Sequence, residues 1–347
     1  ASDVGLDEYA GQIGSASEAD ETRRYEYWKG IRNELNGISC QRLSREDCID
    51  FRIYVKQIDG FLADYETGAY LIPFTSDWGF YLELARLPKD TDFSTLQDYR
   101  NYLARLHAMP GLIDQYIGLM RKGIETGFTQ PRVILDGRDE PIKAQLVEQV
   151  QDSPFYAPFL DLPESVASGD KAKLLATAEQ VVSAEVVPAF QRLYDFFHQE
   201  YIPGARETLG AFELPGGAAF YRAQILQYAT VDMSADEIHR IGLEQVARIR
   251  SEMDEVIEET GFEGSFAEFL AFLRSDPQFY AKTPKELLAF ASYYAKKIDG
   301  RMPMMFGHLP RQPYGVAPVP EEIAPYFTAG RYVPARLDAR RGGYYWV

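Results

Sequence analysis

Four histidines are the side chains of this sequence best suited to bind a metal ion or to transfer a proton. They are His107, His198, His239 and His308. A zinc-binding helix presents two histidines four residues apart, as in the sequence HExxH, and that sequence does not occur here. A metal site would have to draw its ligands from four separate segments. The sequence therefore predicts no metal ligand and no catalytic residue within this chain.

Two of the histidines have acidic neighbours. His198 lies two residues before Glu200, and on a helix such side chains point about 200° apart, so they cannot bind one ion together. His239 follows Asp236 near a predicted helix start, where the imidazole would be partly exposed and suited to a structural hydrogen bond. Both patterns favour structural histidines over catalytic ones.

Other catalytic signatures are also missing from the sequence. It contains no GxSxG, no P-loop and no GxGxxG before a helix. The glycine-rich residues 215–218 lack the Lys-Ser/Thr pair of a P-loop, which favours an ordinary turn. The 52 carboxylates leave a two-acid glycosidase possible in principle, but no particular pair stands out.

The composition limits the partners. The formal net charge is -16, which repels nucleic acid phosphates, so we expect no nucleic acid partner. No apolar run is long enough for a membrane-spanning segment. The 23 tyrosines and 21 phenylalanines either line a cleft for peptide or sugar or pack between helices, and the sequence leaves both open.

The chain reads as a multi-helix scaffold, mainly α. Helices are predicted over residues 18–36, 44–66, 94–125 and 171–201, and Pro110 and Pro188 are expected to break or kink theirs. Helix start signals occur at Ser44, Ser94, Ser234, Ser265 and Thr283.

Proline density changes the pattern near the C-terminus. Residues 302–347 predict a short antiparallel β segment or a set of extended arms. The sequence thus divides into a helical region 1–215, a helical region 216–301 leading to a cleft, and this extended region. Because residues 342–347 are apolar and β-prone, we expect the chain to continue past Val347.

Several stretches resemble the bacterial domain-of-unknown-function 885 family, which we associate with gluzincin-like zinc peptidases. The resemblance covers most of the chain, weakly at residues 102–106 and 123–131. The clearer stretches are residues 221–230, 236–244, 269–280 (FLAFLRSDPQFY), 306–320 (FGHLPRQPYGVAPVP), 324–326 and 342–347.

The resemblance implies chemistry that this chain does not itself contain. In such proteins a strand like GGYYWV leads to a helix bearing HExxPGHH, whose histidines and a downstream glutamate hold zinc. None of those residues is present, so no cofactor is expected in this chain and zinc is expected for the complete protein. The resemblance also implies an exported protein, in the periplasm or at the cell surface and sometimes a lipoprotein.

The two cysteines fit that setting. Cys40 and Cys48 match neither CxxC nor a zinc ribbon, and their spacing permits either a disulfide across a turn or two buried thiols. Export, which the resemblance implies, favours the disulfide.

The resemblance also suggests where a substrate would bind. In zincin-type enzymes an edge strand before the metal helix pairs with the substrate backbone. The candidate substrate-binding residues are Gly343, Tyr344 and Tyr345, with Arg331 and Tyr332 beside them; the alternative is that these are ordinary sheet residues.

The sequence therefore favours the helical, substrate-cleft portion of an exported zinc-metallopeptidase-like protein. Its partners would be a peptide substrate and the remaining C-terminal part of the same protein, and the chain alone would not hydrolyse peptides. The alternative is a non-enzymatic helical protein that binds a peptide or glycan in an aromatic groove. A carboxylate-based glycosidase is a third, weaker interpretation.

Overall fold

The computed structural model describes residues 7–75, 78–164, 166–320, 324, 327, 330–335 and 342–347. Contacts divide the chain into two units, one of Glu8–Ala235 and one built mainly from Asp236–Val347. The prediction of a mainly helical chain with a short β segment near the C-terminus is confirmed. The three-region division stays a prediction.

The first unit is entirely helical in its regular elements. Its helices begin where side chains cap them, at Ser17, Ser44 and Thr95. Thr95 and Asp98 form a capping box one residue beyond the predicted start at Ser94. The helices are α1 (Glu18–Leu35), α2 (Arg45–Glu66), α3 (Phe80–Arg86), α4 (Leu96–Thr126), α5 (Glu140–Lys143), α6 (Ser168–Val181), α7 (Val187–Phe196), α8 (Ile202–Gly204) and α9 (Gly217–Tyr228).

Neither interior proline ends its helix, so the expected breaks do not occur, and whether Pro110 or Pro188 kinks its helix stays a prediction. Pro110 lies inside α4, which continues to Thr126. Pro188 lies in the first turn of α7, directly after the π-helical segment Val182–Val186. A proline removes one donor and crowds the carbonyl four residues earlier, and the wider π turn relieves both effects.

Helix α4 carries the core of the first unit. It packs on α6, on α7 and on the two π-helical segments, Val182–Val186 and Phe197–Tyr201. Fully buried side chains fill the contact, and the Tyr102 hydroxyl donates to the Phe155 carbonyl oxygen at 3.0 Å. The buried side chains include Leu106, Met109, Ile113, Phe190, Leu193 and Phe197. Many aromatic residues of this unit are therefore core.

The second unit combines four helices with a small sheet. The helices are α10 (Ala235–Glu259), α11 (Phe266–Ser275), α12 (Pro284–Asp299) and α13 (Met302–Met305), and the strands are β1 (Tyr314–Ala317), β2 (Arg331–Val333) and β3 (Gly343–Trp346). Ser265 and Thr283 cap α11 and α12 at the positions predicted.

The sheet is mixed, which corrects the expectation of a purely antiparallel one. Its strand order is β1-β3-β2, with β3 antiparallel to β2 and parallel to β1. Parallel pairing needs a long connection that returns the chain to the same end of the sheet. Residues 318–342, which include β2, supply that length between β1 and β3.

Within the ranges given above, no helix is both long enough and apolar enough to cross a lipid bilayer.

Two glycines of α4 allow a matched test of the core packing. A Cβ atom on Gly123 would lie 2.8 Å from the Phe128 carbonyl oxygen and 3.3 Å from that of Leu71, whereas one on Gly118 would meet nothing within 4 Å. We expect Gly123→Ala to lower the free energy of unfolding by about 1–3 kcal/mol. Gly118→Ala should raise it by about 0.5–1 kcal/mol because alanine favours helix. Urea denaturation measures both, and equal effects of the two substitutions would contradict this packing.

Candidate functional site

The predicted substrate-binding residues lie together in the sheet of the second unit, but not as an edge strand. Strand β3, which holds Gly343, Tyr344 and Tyr345, is the middle strand and pairs on both sides. The expectation that it is an edge is therefore wrong, because residues distant in the sequence occupy both its hydrogen-bonding edges. Within the described sheet the edges are β1 and β2. Whether these residues bind a substrate stays a prediction.

Tyrosine rings lie over glycines across the β2–β3 pair. Tyr332 is the register partner of Tyr345. A Cβ atom on Gly343 would collide with the ring of Tyr332, and one on Gly330 would collide with the ring of Tyr345. Glycine at both positions lets each ring cover its partner strand. Tyr332 still exposes 56% of its surface.

A hydrogen bond joins strand β1 to α12, and Arg331 lies over a neighbouring aromatic ring. The Tyr314 hydroxyl donates to Asp299 Oδ1 at 3.0 Å, and burial together with this bond raises the pKa of Tyr314. The Arg331 guanidinium lies 5.1 Å from the centre of the Phe327 ring. The candidate substrate-binding residues thus belong to a sheet that is held by the bond from Tyr314 to Asp299 and by the contact of Arg331 with Phe327.

A second candidate site is a cavity of about 550 Å³ in the first unit. Helices α1, α2 and α9 and the segments around Tyr70, Gln130 and Arg206 form its walls. Its size is within the range of small-molecule sites. We call it the aromatic cavity; its main lining residues are Glu21, Arg24, Tyr25, Trp28, Phe61, Asp64, Tyr65, Tyr70, Phe74, Phe128, Gln130, Arg206, Leu214, Phe220, Gln224, Gln227 and Tyr228.

Stacked rings form one wall of the aromatic cavity. Tyr25 stacks on Tyr65 with ring centres 4.4 Å apart, and Tyr65 stacks on Tyr70 at 5.3 Å. The Tyr25 hydroxyl donates to Glu66 at 2.8 Å, which raises the pKa of Tyr25. Trp28 lies 5.3 Å from Phe61, extending the aromatic wall.

Asp64 is the half-buried carboxyl of this cavity. Burial raises the pKa of Asp64, and a hydrogen bond from the Gln224 side chain partly opposes that shift. Asp64 therefore binds its proton more tightly than a carboxyl in water. Beside it, the amide of Gln130 donates to the Phe74 carbonyl oxygen at 2.8 Å.

The arginines of the cavity wall are occupied by protein groups. Arg24 forms an ion pair with Glu21 and donates to the Ser15 carbonyl oxygen at 2.9 Å. Arg206 donates to three carbonyl oxygens, those of Thr129, Thr208 and Gly210. Burial lowers the pKa of Arg206. These guanidinium groups hold loops in place.

A glycine turn positions α9 against the cavity. Gly216 has the left-handed φ of 69° that begins this helix. A Cβ atom on Gly217 would lie 2.8 Å from the Phe212 carbonyl oxygen, so the chain approaches itself closely here. The turn at residues 215–218 thus sets the direction of α9, the helix that places Phe220 and Gln224 in the cavity wall.

Two of the four histidines form separate pairs with carboxylates. His107 Nδ1 lies 2.6 Å from Glu185, and His198 Nε2 lies 2.8 Å from Asp139. Glu200 instead pairs with Arg121. No group of three potential metal ligands occurs in the described part of the chain.

Cys40 and Cys48 form a disulfide immediately before and at the start of α2. The bond closes a short loop, so it restrains the start of the helix that carries Phe61, Asp64 and Tyr65.

Sequence reasoning did not single out the residues of the aromatic cavity. A signal was present, because Tyr25 and Trp28 are three residues apart on α1 and Phe61, Asp64 and Tyr65 share one face of α2. The same spacing is typical of core stripes, so it does not by itself identify a cavity.

Comparison with known proteins identifies a family and a solved structure of similar fold. The model of the family described as "Bacterial protein of unknown function (DUF885)" matches residues 1–347. No curated protein matches. A solved structure, described as "The crystal structure of the putative lipoprotein from Colwellia psychrerythraea", has a TM-score of 0.85 and 22% sequence identity. The match covers 98% of this chain and 61% of that one, so the chain spans about three fifths of its length.

Substitution of Asp64 tests the burial of its carboxyl. Because the folded state favours the protonated form, stability should be lost as the pH rises above the unfolded pKa of 3.8 through the raised folded pKa. We expect Asp64→Asn to raise the Tm at pH 7 by a few degrees and to have no effect below about pH 3. Asp50→Asn, at an exposed position of the same helix, is the control. Equal changes in both variants across the pH range would contradict this account.

Proposed function

The chain belongs to the DUF885 family, and on that basis we propose that it is the substrate-binding, helical part of an exported zinc-metallopeptidase-like protein. Its role would be to hold a peptide in extended form. Peptide hydrolysis would need residues outside this chain.

The observation that carries the proposal is the one-sided pairing of β2. In the strand order of the described sheet, β2 pairs with β3 and is an edge strand, so an extended peptide can add along Tyr332 and Val333. The ring of Tyr332 lies over Gly343 of β3, so it packs this edge strand against its neighbour. The proposed role of an edge strand therefore passes from β3 to β2, which already contained two of the candidate residues.

The apolar stripe of α10 supports the proposal of a larger protein. Val246 and Val256 expose 67% and 55% of their surface, whereas Ile257 is buried. A helical stripe of this kind normally packs against another element. The remaining C-terminal part of the same protein is the partner we propose, in keeping with the 61% of the Colwellia chain that is matched.

The described residues do not fit a zinc ion. They contain no group of three possible ligands, and His107 and His198 each pair with a carboxylate at a separate place. The proposal therefore assigns zinc to the complete protein, and we derive no step through it here.

Two observations support export to the periplasm or cell surface. A disulfide joins Cys40 and Cys48, and such bonds persist in oxidising compartments. The Colwellia protein of similar fold is described as a lipoprotein.

The proposal predicts a chelator-sensitive peptidase. We expect the natural gene product to hydrolyse a mixture of unstructured peptides, to lose this activity to a chelator and to regain it with zinc. The 347-residue chain alone should be inactive. Tyr332→Ala in the natural product should lower kcat/KM about tenfold, because the edge loses its support.

The control for this experiment is Tyr293→Ala, a tyrosine on α12 with a similar exposed fraction of 60%. It should leave kcat/KM unchanged. Hydrolysis that survives chelation, or no hydrolysis by the natural product, would contradict the proposal.

The aromatic cavity favours a second candidate function, a non-enzymatic protein that binds a peptide or glycan. Its stacked rings and amide groups are typical of such sites. This function predicts that a bound peptide or sugar raises the Tm of the chain by a few degrees, with no effect of chelator. Trp28→Ala should remove the shift, whereas Trp78→Ala, outside the cavity lining, should retain it. A shift in both variants would place binding elsewhere.

A further inference from the structure

We infer that the aromatic cavity binds the cationic amine of a ligand whose remaining part is apolar, with the Asp64 carboxylate as its counter-ion. The inference deepens the second candidate function and rests on it, but it is independent of the peptidase proposal, which concerns the other unit. Four features of the cavity support it.

The aromatic wall is suited to a cation. The faces of tyrosine and tryptophan rings attract ammonium groups. The Tyr25 hydroxyl donates to Glu66, and this bond makes the stacked ring richer in electrons. An ammonium group already uses this property, because Lys29 Nζ lies 5.2 Å from the centre of the Tyr25 ring. The faces of Tyr65 are covered by Tyr25 and Tyr70, and Tyr25 is covered by Tyr65 and Lys29. The lining rings that can present a face to a ligand are therefore those of Trp28 and Tyr228, which have no stacked partner among the described residues.

Asp64 can supply the balancing charge. Its hydrogen-bonding partner in the structure is the neutral amide of Gln224, whereas the other lining carboxylate, Glu21, is paired with Arg24. A half-buried carboxyl without a cationic partner gains most from an incoming ammonium group. A bound amine would favour the ionised form of Asp64, which burial alone disfavours.

The other charged groups around the cavity do not provide a site for an anion. Arg24 is held by Glu21 and a backbone carbonyl, and Arg206 is held by carbonyl groups. Lys122, whose charge acts on Tyr70, is paired with Glu18. A carboxylate or phosphate ligand would face Asp64, while these N–H groups of Arg24 and Arg206 already donate to protein groups.

The floor of the cavity is suited to an apolar body. Phe74, Phe128 and Leu214 are buried side chains at its base, and Phe220 packs edge-on against Phe128 at 5.5 Å. The volume of about 550 Å³ accommodates one or two amino acid residues or a compact aromatic amine. The shared chemistry is thus an ammonium group joined to an apolar or aromatic group, borne by a peptide amino terminus or by a free amine.

Calorimetric titration of the chain with two matched probes tests this inference. Phenethylamine and 2-phenylethanol share the phenethyl group and differ in the ammonium. We expect the amine to bind about tenfold more tightly at neutral pH. Asp64→Asn should remove the difference and leave the affinity for the alcohol within about twofold. Asp50→Asn, at an exposed position on the same helix, should retain the preference.

The possible outcomes of the titration distinguish this inference from the two proposed functions. If both probes bind equally, or if Asp64→Asn retains the preference, the inference is overturned while the second candidate function stands. If neither probe binds, the inference is overturned, whereas the second candidate function is decided by its own thermal-shift test and the peptidase proposal is unaffected. If the amine is preferred, titration with phenylalanyl-alanine amide and its N-acetyl derivative identifies which kind of molecule carries the ammonium group. Tighter binding of the free dipeptide than of phenethylamine indicates a peptide amino terminus, and weaker binding indicates a free amine.

Discussion

The contact between α4 and the long helical run from α6 to α8 is the interaction on which the first unit depends. It buries Met109 and Ile113 of α4 against Phe190 and Leu193 of α7. The π-helical segment Val182–Val186 lies before Pro188 and the segment Phe197–Tyr201 before Pro203, and the helical run continues through both prolines. Burying this apolar surface stabilises a frame to which the surrounding segments attach.

The aromatic cavity rests on that frame through Phe74. Its ring lies 5.4 Å from Phe197 and 5.3 Å from Tyr201, both at the end of the helical run, and it also lines the cavity. The cavity floor is thus an extension of the core. Its contacts with the core position one side of the cavity, and positioned groups are what selective binding of a ligand requires.

The second unit differs from the first because its helices leave more of their apolar surface exposed. Its helices have good caps and regular stripes, but much of the apolar surface of α10 and α12 is exposed in the structure. Its sheet is stabilised locally, by tyrosines packed over glycines and by the bond from Tyr314 to Asp299. These features are consistent with a surface that receives another chain segment, whether a substrate or the rest of a longer protein.

Local signals explain what could be predicted. The caps at Ser44, Ser265 and Thr283 act within one helical turn, so the sequence itself locates those helix starts. The change to short strands after residue 302 follows from the density of prolines, which cannot continue a helix. Pro188 shows the limit of such reasoning, because a π turn absorbed it without ending the helix.

The sequence by itself determined the helical class, the helix starts, the late position of the strands and the lack of an HExxH pair. Only the tertiary structure decided that β3 is the middle strand, since sheet order depends on pairing between residues far apart in the chain. It likewise brought Tyr25 and Tyr65 together from two helices, and it left Asp64 half-buried beside Gln224 of α9. Ring stacking and a carboxyl pKa depend on neighbours in space, and residue order along the chain does not specify those neighbours.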